Sequence, residues 1–181
     1  MLNYYFKDTI ESFQLKSNEE IIGLITISNQ FDSTITQNKS WEQQILILKD
    51  ALEGYNGTIF FEFSIPRMGK RIDSLIIIDN VVFILEFKVG ENKFFLSHIE
   101  QVWDYALDLK NFHKPSHHIV LAPILVATDV NKSFLEIITT SHNDNLILPI
   151  KTNKKDLKLA IKNILLFFKD EQKINGDEYA I

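Results

Sequence analysis

The stretch Gly69-Lys70-Arg71-Ile72-Asp73-Ser74-Leu75-Ile76-Ile77-Ile78, followed by Asp79-Asn80 and then Val81-Val82-Phe83-Ile84-Leu85-Glu86-Phe87-Lys88, decides how the rest of the chain reads. Two apolar, β-branched runs flank a pair of loop-forming residues, which predicts two adjacent strands joined by a hairpin. A strand sends successive side chains to opposite faces. Glu86 and Lys88 therefore share one face, and Phe87 takes the other. Asp73, Glu86 and Lys88 then converge at the ends of neighbouring strands.

Two carboxylates beside an ammonium suit a divalent cation. Magnesium binds through one or two carboxylates and keeps waters or substrate phosphate in its remaining positions. Such an ion eases deprotonation of water and neutralises charge on a phosphodiester oxygen. Asp73 and Glu86 have the donor type for it, and Lys88 is a compact cation able to orient a nucleophile or stabilise a charged transition state. Taken alone, Glu-x-Lys is common and reads first as a solvated pair at a strand end. The strand Asp, the second strand and a helix bearing Gln101 immediately downstream favour the functional reading.

Outward from this hairpin, residues 2–30 read as helical, with Ser17-Asn18-Glu19-Glu20 resembling a cap between two helices. A polar stretch, Gln30 to Asn38, precedes a helix expected to be capped by Ser40 and to end near Gly54. Residues 58–65 read as a strand, Pro66 to Gly69 as a tight turn, and Phe95 to Phe112 as a long helix. Ile119 to Thr128 and Asn145 to Ile150 predict two more strands, and Asp156 to Lys169 an amphipathic helix. The order α-α-β-β-β-α-β-β-α predicts an α/β fold, a mixed β-sheet flanked by helices. Three regions are expected: an N-terminal helical segment at 1–40, the main domain at 41–170, and a tail at 171–181 without a natural stop signal, as at a truncation point.

The chain has 181 residues, 45% hydrophobic and 24% charged, which suits one globular domain with a substantial core. It has no cysteine, so disulfides and Cys-based zinc sites are excluded, and a reducing cytoplasm is the expected setting. The N-terminus lacks the order of a signal peptide, and no apolar run reaches the ~20 residues of a membrane span. The net charge of −5 argues against coating nucleic acid by bulk charge. Charge is uneven, however: Arg67, Lys70 and Arg71 lie just before Asp73, where a local positive patch could meet a phosphate backbone.

These residues resemble the PD-(D/E)xK nuclease superfamily, whose core runs α-β-β-β-α-β. The superfamily places Asp on the second core strand, Glu-x-Lys on the third and often Gln on the next helix; Asp73, Glu86, Lys88 and Gln101 match in order. More closely, Phe61 to Asp73, Glu86-Phe87-Lys88-Val89-Gly90 and Gln101-Val102-Trp103-Asp104-Tyr105-Ala106-Leu107-Asp108-Leu109 look like the N-terminal region of bacterial Schlafen-like DNA/RNA helicases. The resemblance spans roughly residues 1–170. It implies a restriction-endonuclease-like core and a Mg²⁺- or Mn²⁺-dependent nuclease acting on DNA, with RNA as the alternative. It also implies a helicase partner region, for which no phosphate-binding Gly-x-x-x-x-Gly-Lys-Ser/Thr occurs here. The family expects a further acid on the first core helix. Glu42 is the candidate, with Glu53 and Glu62 competing.

Alternation places Glu62 opposite Phe61 and Phe63, on the polar face with Ser64. Gln101 is expected to orient, and Tyr105 to touch the nucleic-acid backbone together with Arg67, Lys70 and Arg71. His113, His117 and His118 match no zinc spacing and read as a helix-ending loop. Trp41 and Trp103 read as core or interface aromatics. The competing function is a non-catalytic nucleic-acid-binding or regulatory module attached to a helicase.

Overall fold

The computed structural model describes residues 3–28, 35–169 and 173–180. Six strands form one mixed sheet in the order β1-β2-β3-β4-β5-β6: β1 Phe6–Thr9, β2 Thr58–Ser64, β3 Arg71–Ile78, β4 Val81–Lys88, β5 Val120–Ala127 and β6 Ile150–Thr152. The first four pair antiparallel, and β4, β5 and β6 run parallel. A parallel step needs a crossover. Between β4 and β5 that crossover is the helix Leu96–Phe112; the other main helices are Ile10–Leu15, Asn18–Ser28, Ile35–Ala51 and Leu157–Phe167, with a short one at Gly176–Tyr179. In chain order these are α1 (10–15), α2 (18–28), α3 (35–51), α4 (96–112), α5 (157–167) and α6 (176–179). None of the described helices is long and apolar enough to cross a membrane.

Both faces of the sheet are covered. One core unites α1, α2, α3 and α5 with Phe61, Phe83, Leu85 and Phe87; the other unites α4 and Tyr179 with Phe60, Phe63, Val82 and Ile84. Double coverage explains why β4 and β5 are continuous apolar runs rather than alternating ones. Along β4, Phe83, Leu85 and Phe87 go to the first core while Val82 and Ile84 go to the second. Glu86, one step on from Leu85, thus belongs to the α4 face.

Five expectations are corrected. Residues 6–9 form a strand, not part of a helix, because Phe6 to Thr9 pair with the open edge of β2. The helix starts only after Thr9, whose hydroxyl accepts from the Ser12 N–H at 3.1 Å. Ser40 caps nothing: α3 already begins at Ile35, and the Ser40 hydroxyl accepts from Gln44 instead. The polar stretch Gln30–Asn38 is helical from 35 onward, and its residues up to 34 lie outside those described. The expected strand at 145–150 reduces to isolated bridges of Leu146 to Leu121 and of Ile147 to Thr139, and the ladder at 150–152. Pro149 between them has no N–H to donate, so the ladder breaks there. Ser17 does cap α2, accepting from the Glu20 N–H at 3.1 Å.

The fifth correction bears on the site. Phe61 and Phe63 are two residues apart, yet they enter opposite cores. Between them Glu62 has φ +54°, a left-handed conformation uncommon for any residue but glycine. It reverses the alternation of β2 without changing its register against β3, where Phe61 faces Ser74 and Phe63 faces Ile72.

Residues 173–180 return to the sheet. The Ile174 N–H bonds the Asp79 carbonyl at 2.8 Å, Lys7 pairs with Asp177, and Tyr179 is buried. Gly176 lies so close to Thr58 that an added Cβ would meet its hydroxyl at 2.1 Å.

Candidate active site

The ladder between β3 and β4 ends at Ser74 and Leu85. The next residues in register are Asp73 and Glu86, where the two strands part. Asp73 closes the gap with its side chain: Oδ2 accepts from the Phe87 N–H at 2.8 Å. This uses one of its two oxygens and holds the carboxylate beside Glu86.

Glu86 is only 4% exposed. Its Oε1 accepts from Lys88 Nζ at 2.7 Å, and its Oε2 is enclosed without any hydrogen-bond partner. Lys88 Nζ also donates to Gln101 Oε1 at 3.0 Å, and Gln101 Nε2 donates to the Tyr105 hydroxyl at 2.7 Å. A continuous chain therefore runs from the third residue class expected for the site, the ammonium, through Gln101 to Tyr105. Glu86 and Lys88 do share the α4 face, as alternation requires.

Burial pushes Asp73 well above the ordinary carboxylate range, and the charge of Glu86 pushes it further, against the Phe87 N–H and Lys88. Burial also raises Glu86, opposed by Lys88 and Gln101. Glu62 is raised by burial as well, opposed by its bond from Trp41 and by Arg71. Burial and the Glu86 charge hold the Tyr105 phenol up at about 12. The common cause is negative charge withdrawn from water with too few cations to balance it.

The remaining candidates fall in different places. Glu62 Oε1 accepts from Trp41 Nε1 at 3.0 Å, and its charge is felt by Asp73, Glu86 and Tyr105. Glu42 is exposed; it lines a depression of about 660 Å³ together with Lys39, Phe87, Lys88, Glu91 and His98. Glu53 is outside the site, paired with Lys158 at 3.1 Å on the exposed surface. Lys70 pairs with Asp108 at 2.8 Å and borders a second depression, about 400 Å³, with Gln101, Asp104 and Tyr105. Arg71 stacks on the Tyr5 ring at 4.2 Å and donates to the Ser64 hydroxyl, while Arg67 is exposed in the turn with φ +66°.

His98 and Trp41 were missed as site residues. Burial and the Lys88 charge both lower the His98 pKa, and His98 lines the same depression as Lys88. Its signal was available, since 98, 101 and 105 recur on one helical face. Trp41 carried only the signal of a core aromatic. His113 is a buried helix-end residue: Nδ1 meets the Ser116 hydroxyl at 2.8 Å, and that hydroxyl meets the Tyr179 hydroxyl at 2.6 Å.

For a hard divalent cation the donors fit in kind. Asp73 and Glu86 are oxygen ligands, and the orphaned Glu86 Oε2 is an acceptor that burial makes costly to leave unpaired. Among the described residues no three His, Asp or Glu side chains are gathered closely enough to enclose an ion by themselves. No family model matches this chain, and neither does any curated protein.

Proposed function

We propose that the chain is a Mg²⁺- or Mn²⁺-dependent phosphodiesterase domain that hydrolyses DNA, with RNA as the alternative substrate. The observation that carries this reading is the buried, unpartnered Glu86 Oε2 beside Asp73, with Lys88 held between Glu86 and Gln101. The order α3-β2-β3-β4-α4-β5 supports a restriction-endonuclease-like core of the PD-(D/E)xK kind. A partnership with a helicase region outside this chain belongs to the same proposal.

Asp73 and Glu86 would hold the cation. When bound, it supplies Lewis-acid charge neutralisation and a more acidic water. Asp73 is fixed in direction by the Phe87 N–H. Lys88, steered by Gln101, presents an ammonium where charge develops on the phosphodiester. Tyr105 stays a neutral phenol and fixes the Gln101 amide, so that Gln101 Oε1 faces Lys88. Lys70, beside Gln101 and Tyr105, offers a cation to the neighbouring phosphate, once it is released from Asp108.

The test uses the full chain with single- and double-stranded DNA and RNA, in Mg²⁺, Mn²⁺ or chelator. Cleavage that needs the ion and disappears in Asp73→Asn is expected. Cutting undiminished in chelator removes the metal role.

In the competing reading, a non-catalytic nucleic-acid-binding module, the same fold serves grip or assembly. Lys88→Ala discriminates. Loss of cutting with nucleic-acid binding retained supports catalysis, whereas a chain that binds equally well and never cut supports the module.

A further inference from the structure

We infer that the groove beside α4 takes the unpaired bases of a single-stranded nucleic acid, with Phe134 as the stacking surface and Lys132 and Lys151 as contacts to its phosphates. The inference rests on the phosphodiesterase reading above and names the form of its substrate.

The segment after β5 makes the groove. In Phe134-Leu135-Glu136-Ile137-Ile138, alternate residues part: Leu135 and Ile137 pack on the core of the α3 face, while Phe134, Glu136 and Ile138 are exposed. An extended backbone gives this period of two. Phe134 is held in it by a bridge to Lys151, its N–H bonding the Lys151 carbonyl at 2.7 Å. The exposed face meets Leu148, and α4 at Ile99 and Trp103, around a groove of about 390 Å³. Phe134, Ile138 and Leu148 keep 50%, 45% and 40% of their surface in water. Apolar surface gathered around one groove is unfavourable in water and marks a binding face.

Charge identifies the occupant. The ammoniums of Lys132 and Lys151 lie 5.6 and 4.8 Å from the centre of the Phe134 ring, and Phe94 supports that ring edge-on at 6.1 Å. A half-exposed ring beside two cations offers a face to a base and positive charge to its phosphate. An apolar peptide would fill the groove only by burying both ammoniums unpaired, which is costly. Exposed cation–π contacts are weak, so a base can take the ring while the ammoniums turn to phosphate. Glu100 and Glu136 also line the groove. They keep phosphate out of it, and their oxygens can accept from the amino groups that bases carry.

The groove adjoins the candidate site. Glu86 on β4, Leu125 on β5 and Lys151 on β6 form one row across the sheet. Neighbouring strands lie ~4.8 Å apart, which sets Lys151 about 10 Å from Glu86 along that row. Ile150 enters the core of the α3 face, so Lys151 takes the α4 side, as Glu86 does. Glu100 lines both this groove and the depression that holds Lys70, Gln101 and Tyr105. A strand cut beside Glu86 therefore continues into the groove. A duplex keeps its bases paired and stacked, and has none to lay on Phe134.

The experiment is fluorescence anisotropy of the full chain in chelator, with a labelled DNA strand about 20 nucleotides long, alone and as a duplex. Mn²⁺-dependent cutting of both forms is measured beside it. Wild type should bind the single strand more tightly than the duplex. Phe134→Ala should weaken single-strand binding about 10–100-fold and leave duplex binding unchanged, and Phe134→Tyr should restore it. Lys132→Ala and Lys151→Ala should each lower the logarithmic salt slope of single-strand binding by about 0.7.

Single-strand affinity unchanged in Phe134→Ala overturns the inference and gives the groove to a second copy or a protein partner. Equal losses on strand and duplex overturn it too, because they reduce the groove to a charged patch. A wild type that cuts duplex yet binds no single strand overturns the inference alone. A chain that neither binds nor cuts either form takes the phosphodiesterase reading with it. Should Phe134→Ala melt early, the lysine variants carry the test, and unchanged salt slopes refute the inference.

Discussion

Glu86→Gln and Phe87→Ala change neighbouring residues on opposite faces of one strand, and their effects should separate cleanly. The amide keeps an acceptor for Lys88 but loses the ion pair, which costs about 1 kcal/mol on the difference between charged and neutral hydrogen bonds. Against that, the change removes a buried charge that faces Asp73 and Glu62. The buried second polar atom stays unpaired before and after the change, so its cost cancels. The net stability change in chelator should lie within about 1 kcal/mol of zero, or within about 4 °C in melting temperature for a domain of this size. Phe87 is 5% exposed in the core of the α3 face, and truncating a buried phenylalanine costs about 3–5 kcal/mol. Because Phe87 also borders the depression that carries Glu42, water can enter the gap, and the lower end of that range is expected. That is a fall of roughly 6–12 °C. Adding Mn²⁺ at about a hundred times its dissociation constant should contribute about 2.7 kcal/mol to wild type, and nothing to Glu86→Gln. The assay is thermal unfolding by circular dichroism, with and without Mn²⁺. A Glu86→Gln chain that unfolds, beside a Phe87→Ala chain that melts normally, would place the strand inside out. Lys88 shares the face of Glu86, so the site would fall with it.

Burial holds His113 down at about 4 against an ordinary 6.5. The folded chain keeps the ring neutral while the unfolded chain protonates it, so its contribution is fully present above about pH 6.5 and is lost as pH falls toward 4, by about 3 kcal/mol in all. Asp73 and Glu86, with raised values, act in the opposite sense, so the measurement is the difference between wild type and His113→Gln across that window; a flat difference refutes the assignment. Gly57→Ala should destabilise by at least about 2 kcal/mol, because the new Cβ would lie 2.0 Å from the Ile77 carbonyl oxygen; denaturant unfolding checks it, and a neutral result would mean that the β2–β3 approach is looser than described. Gly176→Ala should lift α6 off Thr58 and unseat Tyr179, giving faster proteolysis beyond residue 173 with the main transition intact.

The hairpin was legible because its signals are local and agree with one another. Two apolar runs meet at Asp79-Asn80, and Asp79 takes the left-handed turn conformation, φ +51°, that such residues tolerate. Alternation then placed Glu86, Phe87 and Lys88 correctly, since β4 is paired along its whole length by β5 and stays regular. β1 was not legible. Its four residues abut a helical pattern, and only the unpaired edge of β2, far away in the chain, makes them a strand. Ser40 misled for the opposite reason: it has the chemistry of a cap, but the helix had already begun, so its hydroxyl found a side chain one turn on.

The choice among Glu42, Glu53 and Glu62 could not be made from spacing, because all three are acids at plausible distances along the chain. Position in space separates them. Glu53 pairs with Lys158 at the surface, Glu42 is exposed beside a depression, and the charge of Glu62 is felt by Asp73 and Glu86. What brings Glu62 there is a backbone conformation that breaks the rule used to read every other strand residue. A period-2 reading treats each position as regular and so must fail where one residue is strained. Strain in a buried strand opposes folding and survives only if something else holds it. The Glu62 side chain accepts from the Trp41 indole, a residue whose sequence signature is indistinguishable from ordinary core. The conformation of Glu62 was hidden from the sequence because there local preference and alternation are overridden together.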